Sequence, residues 1–119
     1  MKKVLVVMGS DSDLKVMEKC VDRLKSFDIP TEVRICSAHR TPAVAEQLAE
    51  NAAAEGFGVI IAAAGKAAHL GGVLAAYTTL PVIGVPMATS VMGGMDSLLS
   101  IVQMPKGIPV ATVAIDGAD

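Results

Sequence analysis

A short polar segment between two apolar runs carries the residue types best suited to chemistry. Within Ser37–Pro42, sequence SAHRTP, a hydroxyl, an imidazole and a guanidinium follow one another closely. An imidazole can give and take a proton near neutral pH, and a guanidinium can hold a phosphate through two parallel hydrogen bonds. His39 alone also fits an ordinary solvent-facing loop residue, but Arg40 beside it favours acid/base chemistry on an anionic ligand.

Two further polar segments follow apolar runs in the same way. Gly9–Asp13, sequence GSDSD, fits either a simple helix cap or a site for an anion and sugar hydroxyls. It lacks the glycine spacing of dinucleotide-binding and P-loop motifs. Ala64–Leu70, sequence AGKAAHL, brings His69 to the start of a run of small apolar residues. His69 is therefore either a hydrogen-bonded core residue or a substrate contact.

The sulfur-containing residues predict no metal or redox site. Cys36 lies three residues before His39, so a thiol nucleophile has to be considered, but a thiol at the end of an apolar strand more often packs as a small hydrophobe. Cys20 and Cys36 have no CxxC spacing, and the seven methionines show no ligand spacing. We expect no metal, and reduced thiols that are typical of a cytoplasmic protein.

The elements that carry these segments alternate between strand and helix. Short continuous apolar runs indicate strands covered on both faces, and apolar residues at every third or fourth position indicate helices. Thr41 and Pro42 fit a helix N-cap and a first helical turn, and Gly56 fits a helix end. The expected strands are 4–8, 31–36, 58–63, 81–85 and 110–115, and the expected helices are 14–27, 42–52, 67–77 and 95–103.

This order predicts a three-layer α/β/α domain with a central parallel sheet of about five strands. Short connections and right-handed crossovers place helices on both faces of such a sheet. Ligands bind to these sheets where the carboxyl ends of the strands meet the helix N-termini. Because each of the three polar segments follows a predicted strand, we expect all three to meet at one edge.

The composition indicates one domain that associates with copies of itself. A chain of 119 residues can form one hydrophobic core but hardly two. With 52% hydrophobic and 18% charged residues it is more apolar than a typical globular chain, so we expect a homo-oligomer.

The net charge of -2 and the dispersed basic residues argue against a nucleic-acid partner. Glycine and proline interrupt the uncharged stretch 67–95, which argues against membrane insertion.

Five segments, taken in order, match the motifs of a known enzyme family. They are MGSDSD at 8–13, SAHRTP at 37–42, AGKAAHL at 64–70, LPVIGVP at 80–86 and DSLLSIVQMPKGIPVATVAI at 96–115. Together they closely resemble the bacterial N5-carboxyaminoimidazole ribonucleotide mutases, the catalytic subunit of phosphoribosylaminoimidazole carboxylase. The resemblance implies a flavodoxin-like fold, a homo-octamer, and catalysis with neither metal nor organic cofactor.

This chain differs from the family pattern in three places. Many members have glycine where this chain has Lys66, and proline where it has Gly71. The family usually continues into a C-terminal helix that packs on neighbouring subunits. We expect residues 1–119 to form a single α/β domain that lacks this helix.

The resemblance also implies a reaction and the residues that perform it. Family members move a carboxylate from the exocyclic nitrogen of the aminoimidazole to ring carbon C4, by decarboxylation and recarboxylation, in de novo purine biosynthesis. His39 matches the catalytic histidine that acts as general acid and base. Ser10 and Asp13 match substrate ligands, and Arg40 matches the residue that holds the phosphate. The remaining substrate contacts implied by the motifs are Ser37, Ala38, Gly65, Ala68, His69 and Leu70.

Three other functions are compatible with the same residues. A related carboxylase would use free CO2 and aminoimidazole ribonucleotide. A phosphoribosyl-binding or assembly module would use the same pocket without chemistry. A hydrolase would require Cys36 as its nucleophile. The mutase is the leading hypothesis, with a small-molecule ribonucleotide as its substrate.

Overall fold

The computed structural model describes all 119 residues and contains one parallel sheet flanked by helices. A short 3-10 turn at Asp11–Asp13 precedes the first helix. The strands are β1 Lys3–Met8, β2 Thr31–Ile35, β3 Phe57–Ala64, β4 Val82–Pro86 and β5 Ala111–Thr112. The helices are α1 Leu14–Ser26, α2 Pro42–Ala52, α3 Leu70–Ala76 and α4 Met95–Val102.

The strand order is β2-β1-β3-β4-β5, which is the order of flavodoxin-like folds. The predicted α/β class with about five parallel strands is therefore confirmed. β1 pairs with β2 on one side and with β3 on the other, and Met8 lies opposite both Ile35 and Ala63. These three strands consequently end at the same level. From β1 the chain crosses to β2 on one side, and from β2 it returns past β1 to β3 on the other side. This reversal of direction opens a crevice at the carboxyl ends of the strands.

Alternating side chains of the strands form a core on each face of the sheet. On one face Leu5 and Ile60 pack with α2, α3 and α4, and on the other Val6 and Ile61 pack with Met17 and its neighbours in α1. The predicted placement of helices on both faces is confirmed. The continuous apolar runs of β1 and β3 exist because both faces of these strands are covered.

Two elements differ from the sequence-based expectation. Helix α3 begins at Leu70 instead of Ala67, because Lys66 adopts a left-handed backbone with φ of 59° and the His69 N–H donates to the Ala67 carbonyl in a tight turn. Strand β5 has two residues instead of six, because only Ala111 and Thr112 pair with β4.

The start of α2 also differs in detail. Pro42 lies in the first turn as predicted, but the Thr41 side chain makes no capping hydrogen bond to the helix. Its hydroxyl donates instead to the Ser37 carbonyl at 2.8 Å. Thr41 therefore stabilises the segment that precedes the helix.

None of the helices combines the length and the apolar character that a bilayer-spanning helix requires.

Gly84 in β4 provides a test of the packing between the sheet and α4. A Cβ added there would overlap Ile101 Cγ2 and approach Val110 Cγ1 to 3.2 Å. We expect Gly84→Ala to lower the free energy of unfolding by about 1–3 kcal/mol, the usual cost of overpacking, in urea denaturation. Gly71→Ala in α3 is the matched control, because its added Cβ would meet only ordinary contacts of 3.6 and 3.8 Å. The control should be neutral or stabilising, since alanine is the better helix former; equal losses in both variants would contradict the packing explanation.

Candidate active site

A cavity of about 530 Å³ opens at the carboxyl edge of the sheet. The three polar segments identified in the sequence all contribute to its wall, so they meet at one edge as expected. A fourth segment, Met87–Thr89 after β4, completes the wall. This segment was not identified from the sequence because it lacks charged residues; its position after a predicted strand is the one signal that would have indicated it. The lining residues are Gly9, Ser10, Ser12, Asp13, Ser37, Ala38, His39, Arg40, Ala64, Gly65, Lys66, Ala67, His69, Leu70, Met87, Ala88 and Thr89.

All but one of the residues expected at the site line this cavity. The exception is Ala68, which is only 1% exposed and packs in the core with Leu70 and Leu74. The tight turn before α3 directs its side chain into the core. Ala68 is thus not part of the cavity wall in this structure, and its expected contact with the substrate stays a prediction. Ser10, Asp13, Ser37, Ala38, His39, Arg40, Gly65, His69 and Leu70 all border the cavity.

The two histidines of the chain form a hydrogen-bonded pair on the cavity wall. His39 Nε2 lies 2.8 Å from His69 Nδ1, and the two rings meet edge to face with their centroids 4.9 Å apart. One ring nitrogen must donate and the other accept, because two N–H groups facing each other would make no bond. The contact therefore links the tautomers of the two rings. Both side chains are exposed, which places His69 at the cavity instead of in the core.

The segment between β2 and α2 holds His39 through local hydrogen bonds. The Arg40 N–H donates to Ser37 Oγ at 3.1 Å, and the Thr41 N–H donates to the Ser37 carbonyl at 2.9 Å. Ser37 thus closes the loop just before Pro42 begins the helix. This arrangement fixes the backbone on both sides of His39.

Cys36 lies below this segment and outside the main cavity. It is 4% exposed, packs in the core cluster, and its Sγ lies 3.6 Å from Thr41 Oγ1. Buried in this way, the thiol has the surroundings of a small hydrophobe. The geometry does not favour the hydrolase alternative.

Arg40 is a cation without an ionic partner. The two salt bridges of the chain join Lys3 and Arg34 to Glu32, and none of these residues borders the cavity, so no carboxylate forms a salt bridge with Arg40. The guanidinium is exposed and borders the cavity. Such a group is suited to bind a phosphate from solution.

Ser97 lies buried behind the cavity wall and was not identified from the sequence. It is fully buried, and its hydroxyl accepts the Lys66 N–H at 2.9 Å. Ser100, in the next turn of α4, donates its hydroxyl proton to the Asp96 carbonyl at 2.7 Å and approaches the Lys66 carbonyl to 3.4 Å. Helix α4 therefore anchors the segment after β3 although it contributes no residue to the cavity wall.

Asp13 is the carboxylate of the cavity wall, and its pKa is raised. Burial is the largest cause, a hydrogen bond with the Ser10 backbone opposes it, and the negative charge of Asp116 adds to the rise. Asp116 also accepts the Ala88 N–H at 2.9 Å and so ties the fourth wall segment to the end of the chain. Asp116 was not singled out from the sequence, although it directly follows the predicted strand 110–115.

No three or more His, Cys, Asp or Glu side chains lie close enough together to hold a metal ion. Two imidazoles and the cations Arg40 and Lys66 border the cavity, and these groups are suited to proton transfer and to anion binding.

The raised pKa of Asp13 predicts a dependence of stability on pH. Above that pKa the ionised carboxylate disfavours the folded state, so Asp13→Asn should raise the free energy of unfolding near pH 7. Asparagine remains a good residue for the start of a helix. The gain should shrink as pH falls through the raised pKa and vanish below the ordinary aspartate value of about 3.9. Urea denaturation at neutral and acid pH measures it.

Asp11→Asn is the matched control for this experiment, because Asp11 is exposed and does not border the cavity. It should change stability little at either pH. A gain in Asp13→Asn that persisted in full at acid pH would contradict the explanation.

The sequence pattern of the AIR carboxylase family matches residues 3–119. An N5-carboxyaminoimidazole ribonucleotide mutase of Pyrococcus abyssi is 58% identical over 118 residues, which cover 99% of this chain and 68% of the relative. The protein of the same name from Mycobacterium tuberculosis (strain H37Rv) is 60% identical over 116 residues, covering 98% and 67%. The crystal structure of Treponema denticola PurE has a TM-score of 0.83 at 32% identity, covering 95% of this chain and 72% of that one. The chain thus spans about two thirds of the length of these curated relatives.

Proposed function

The chain belongs to the AIR carboxylase family, and we propose that it converts N5-carboxyaminoimidazole ribonucleotide into 4-carboxy-5-aminoimidazole ribonucleotide in purine biosynthesis. It is then an isomerase that transfers a carboxylate within one molecule. Relatives that match nearly the whole chain at close to 60% identity carry the name of this mutase. One structural observation in particular supports this function: a hydrogen-bonded histidine pair faces a cavity that also carries a cation free to bind phosphate.

The reaction requires a proton to be delivered and then removed. In the first half, the bond between the exocyclic nitrogen and its carboxylate breaks, the carboxylate leaves as CO2, and the electron pair stays on nitrogen. The nitrogen takes a proton from the imidazolium of His39. In the second half, ring carbon C4 forms a bond to CO2, and the proton that C4 loses returns to the imidazole of His39. The protons balance over the cycle, so one acid/base group is sufficient.

The other lining residues hold the substrate so that this one group can serve both atoms. Arg40 is suited to the phosphate, and Ser10 and Asp13 to the ribose hydroxyls, because they lie on separate wall segments around the cavity. Fixing both ends of the ribonucleotide keeps the ring against His39 and keeps the released CO2 next to C4. Positioning of this kind lowers the barrier by removing the entropy cost of a second encounter.

His69 positions His39 within this proposal. His69 Nδ1 lies against His39 Nε2, so when one of these two nitrogens carries the shared proton, the other must accept it with its lone pair. When His39 Nε2 donates to His69 Nδ1, the neutral His39 ring keeps a lone pair on Nδ1 and can act as a base. Once Nδ1 has taken a proton, the same hydrogen bond to His69 stabilises the imidazolium, which can act as an acid.

The alternatives are not favoured. A carboxylase that takes free CO2 would use the same residues, but the relatives named above carry the mutase name. An assay that offers each substrate separately distinguishes the two activities from each other and from a binding module without turnover.

The role of His39 is tested by replacing its imidazole. We expect His39→Asn to lower kcat at least about a hundredfold, the usual contribution of general acid/base catalysis, while the carboxylated product still binds in calorimetry. His69→Phe keeps an edge-to-face ring contact but removes the hydrogen bond, so it should cause a smaller loss of kcat. Cys36→Ser is the control and should retain turnover. Near-normal turnover of His39→Asn would rule out the assigned role.

We include in the proposal that this α/β domain assembles as a homo-octamer in the cytoplasm. Large apolar side chains on the surface of the single chain support assembly, and two unpaired cysteines suit a reducing compartment. Light scattering at micromolar concentration should give the mass of eight chains. A monomer at that concentration would contradict the assembly. The large exposed apolar residues include Phe27, Ile35, Val44, Val91, Met92, Leu99 and Val102.

A further inference from the structure

Lys66 occupies an unusual backbone position on the cavity wall. Its φ of 59° lies in the left-handed region, which favours glycine. Three other residues that are not glycine have positive φ, namely Asp28, Met92 and Asp116, but none of them borders the cavity. A strained non-glycine backbone inside a binding site points to a use for its side chain.

A buried side chain holds this backbone in place. The hydroxyl of Ser97 accepts the Lys66 N–H at 2.9 Å. The Ser100 hydroxyl donates to the Asp96 carbonyl at 2.7 Å and lies 3.4 Å from the Lys66 carbonyl. One buried side chain of α4 is thus committed to the loop after β3. The left-handed turn is a fixed feature of the site, and the Lys66 side chain starts from a defined point on the wall.

The ammonium group of Lys66 has no ionic partner. As with Arg40, no carboxylate forms a salt bridge with it, since both salt bridges of the chain involve Glu32. The cavity wall therefore carries two unpaired cations, although acidic residues outnumber basic ones in the chain, 12 to 10. Asp13 is the only carboxylate on this wall, and its raised pKa reflects the cost of ionising it there. This imbalance favours a ligand with more than one anionic group.

The two cations lie on different wall segments. Arg40 follows β2, and Lys66 follows β3, three residues before the His69 that contacts His39. A guanidinium matches a phosphate through its fork of donors, whereas an ammonium acts as a flexible point charge that follows a smaller anion. Arg40 is thus the better partner for the phosphate, which leaves Lys66 for a second anion near the histidine pair.

We propose that Lys66 binds the carboxylate of the substrate and makes the site prefer carboxylated over uncarboxylated aminoimidazole ribonucleotides. This inference depends on the proposed function, because it assigns one residue of the same site to the group that is transferred. A flexible ammonium can remain near this carboxylate when it is attached to nitrogen and when it is attached to C4. Lys66 is then a specificity-determining residue.

Calorimetry with two ligands tests this assignment on the full chain. The ligands are 4-carboxy-5-aminoimidazole ribonucleotide, which has a carboxylate and a phosphate, and ribose 5-phosphate, which has only the phosphate. We expect Lys66→Met to weaken binding of the carboxylated ligand by roughly three- to tenfold, the scale of one partly screened charged contact. Binding of ribose 5-phosphate should not change.

Lys66→Arg is the matched variant, because it keeps the charge and the unbranched stem. It should restore most of the affinity for the carboxylated ligand. The effect of Lys66→Met should also decrease at high ionic strength, because salt screens an exposed charge. Urea midpoints close to that of the unchanged chain show that both variants are folded.

The outcomes separate this inference from the proposed function. If the unchanged chain binds the carboxylated ligand more tightly than ribose 5-phosphate, but Lys66→Met keeps that preference in full, the role of Lys66 is overturned and the mutase proposal stands. Equal weakening of both ligands also overturns it. If the unchanged chain shows neither preference nor turnover, the proposed function fails, and the role of Lys66 fails with it.

Discussion

The parallel pairing of β1 with both β2 and β3 is the constraint on which the site depends. Met8 lies opposite Ile35 on one side and Ala63 on the other, so the three strands end at one level. Every loop that follows a strand is therefore delivered to the same edge. The hydrogen bond between His39 and His69 exists because each of these loops is fixed to a strand that is itself paired with β1. A shift of one residue in either pairing would move the side chains of a strand to the opposite face of the sheet and displace the loop that follows it, which would separate the rings.

Several features in and around the site lower the free energy of unfolding, and the rest of the fold keeps them in place. Burial raises the pKa of Asp13, and Lys66 and Asp116 adopt left-handed backbones. The two left-handed residues are tied to neighbouring segments: the Lys66 N–H donates to Ser97 of α4, and the Asp116 carboxylate accepts the Ala88 N–H. The closely packed core on both faces of the sheet makes this possible, because it holds the anchoring elements in one arrangement. Strain that persists at a binding site in this way is typical of functional positions.

The sequence predicted the elements whose signals are local. The apolar runs of β1 and β3 and the proline at the start of α2 indicated these elements within a residue or two. The start of α3 was placed three residues early, because small apolar residues continue through Ala67 and Ala68 and the left-handed turn at Lys66 has no sequence signal. β5 was predicted too long, because its apolar pattern continues beyond the two residues that pair with β4. The contact between His39 and His69 joins residues 30 positions apart, so only the topology could indicate it.

Because β5 pairs with β4 over a short length, the cavity wall next to β5 resists local unfolding less than the walls fixed to the centre of the sheet. β5 is an edge strand that pairs with β4 at two positions, whereas β1 and β3 pair along six. Amide hydrogens at this edge are therefore expected to exchange with solvent through openings that leave the centre of the sheet intact. Asp116 follows β5 and holds the Ala88 N–H, so such an opening would release the fourth wall segment. The histidine pair would stay assembled, because its two loops are fixed to the centre of the sheet. Ligand exchange could then take place at one wall without disturbing the catalytic groups.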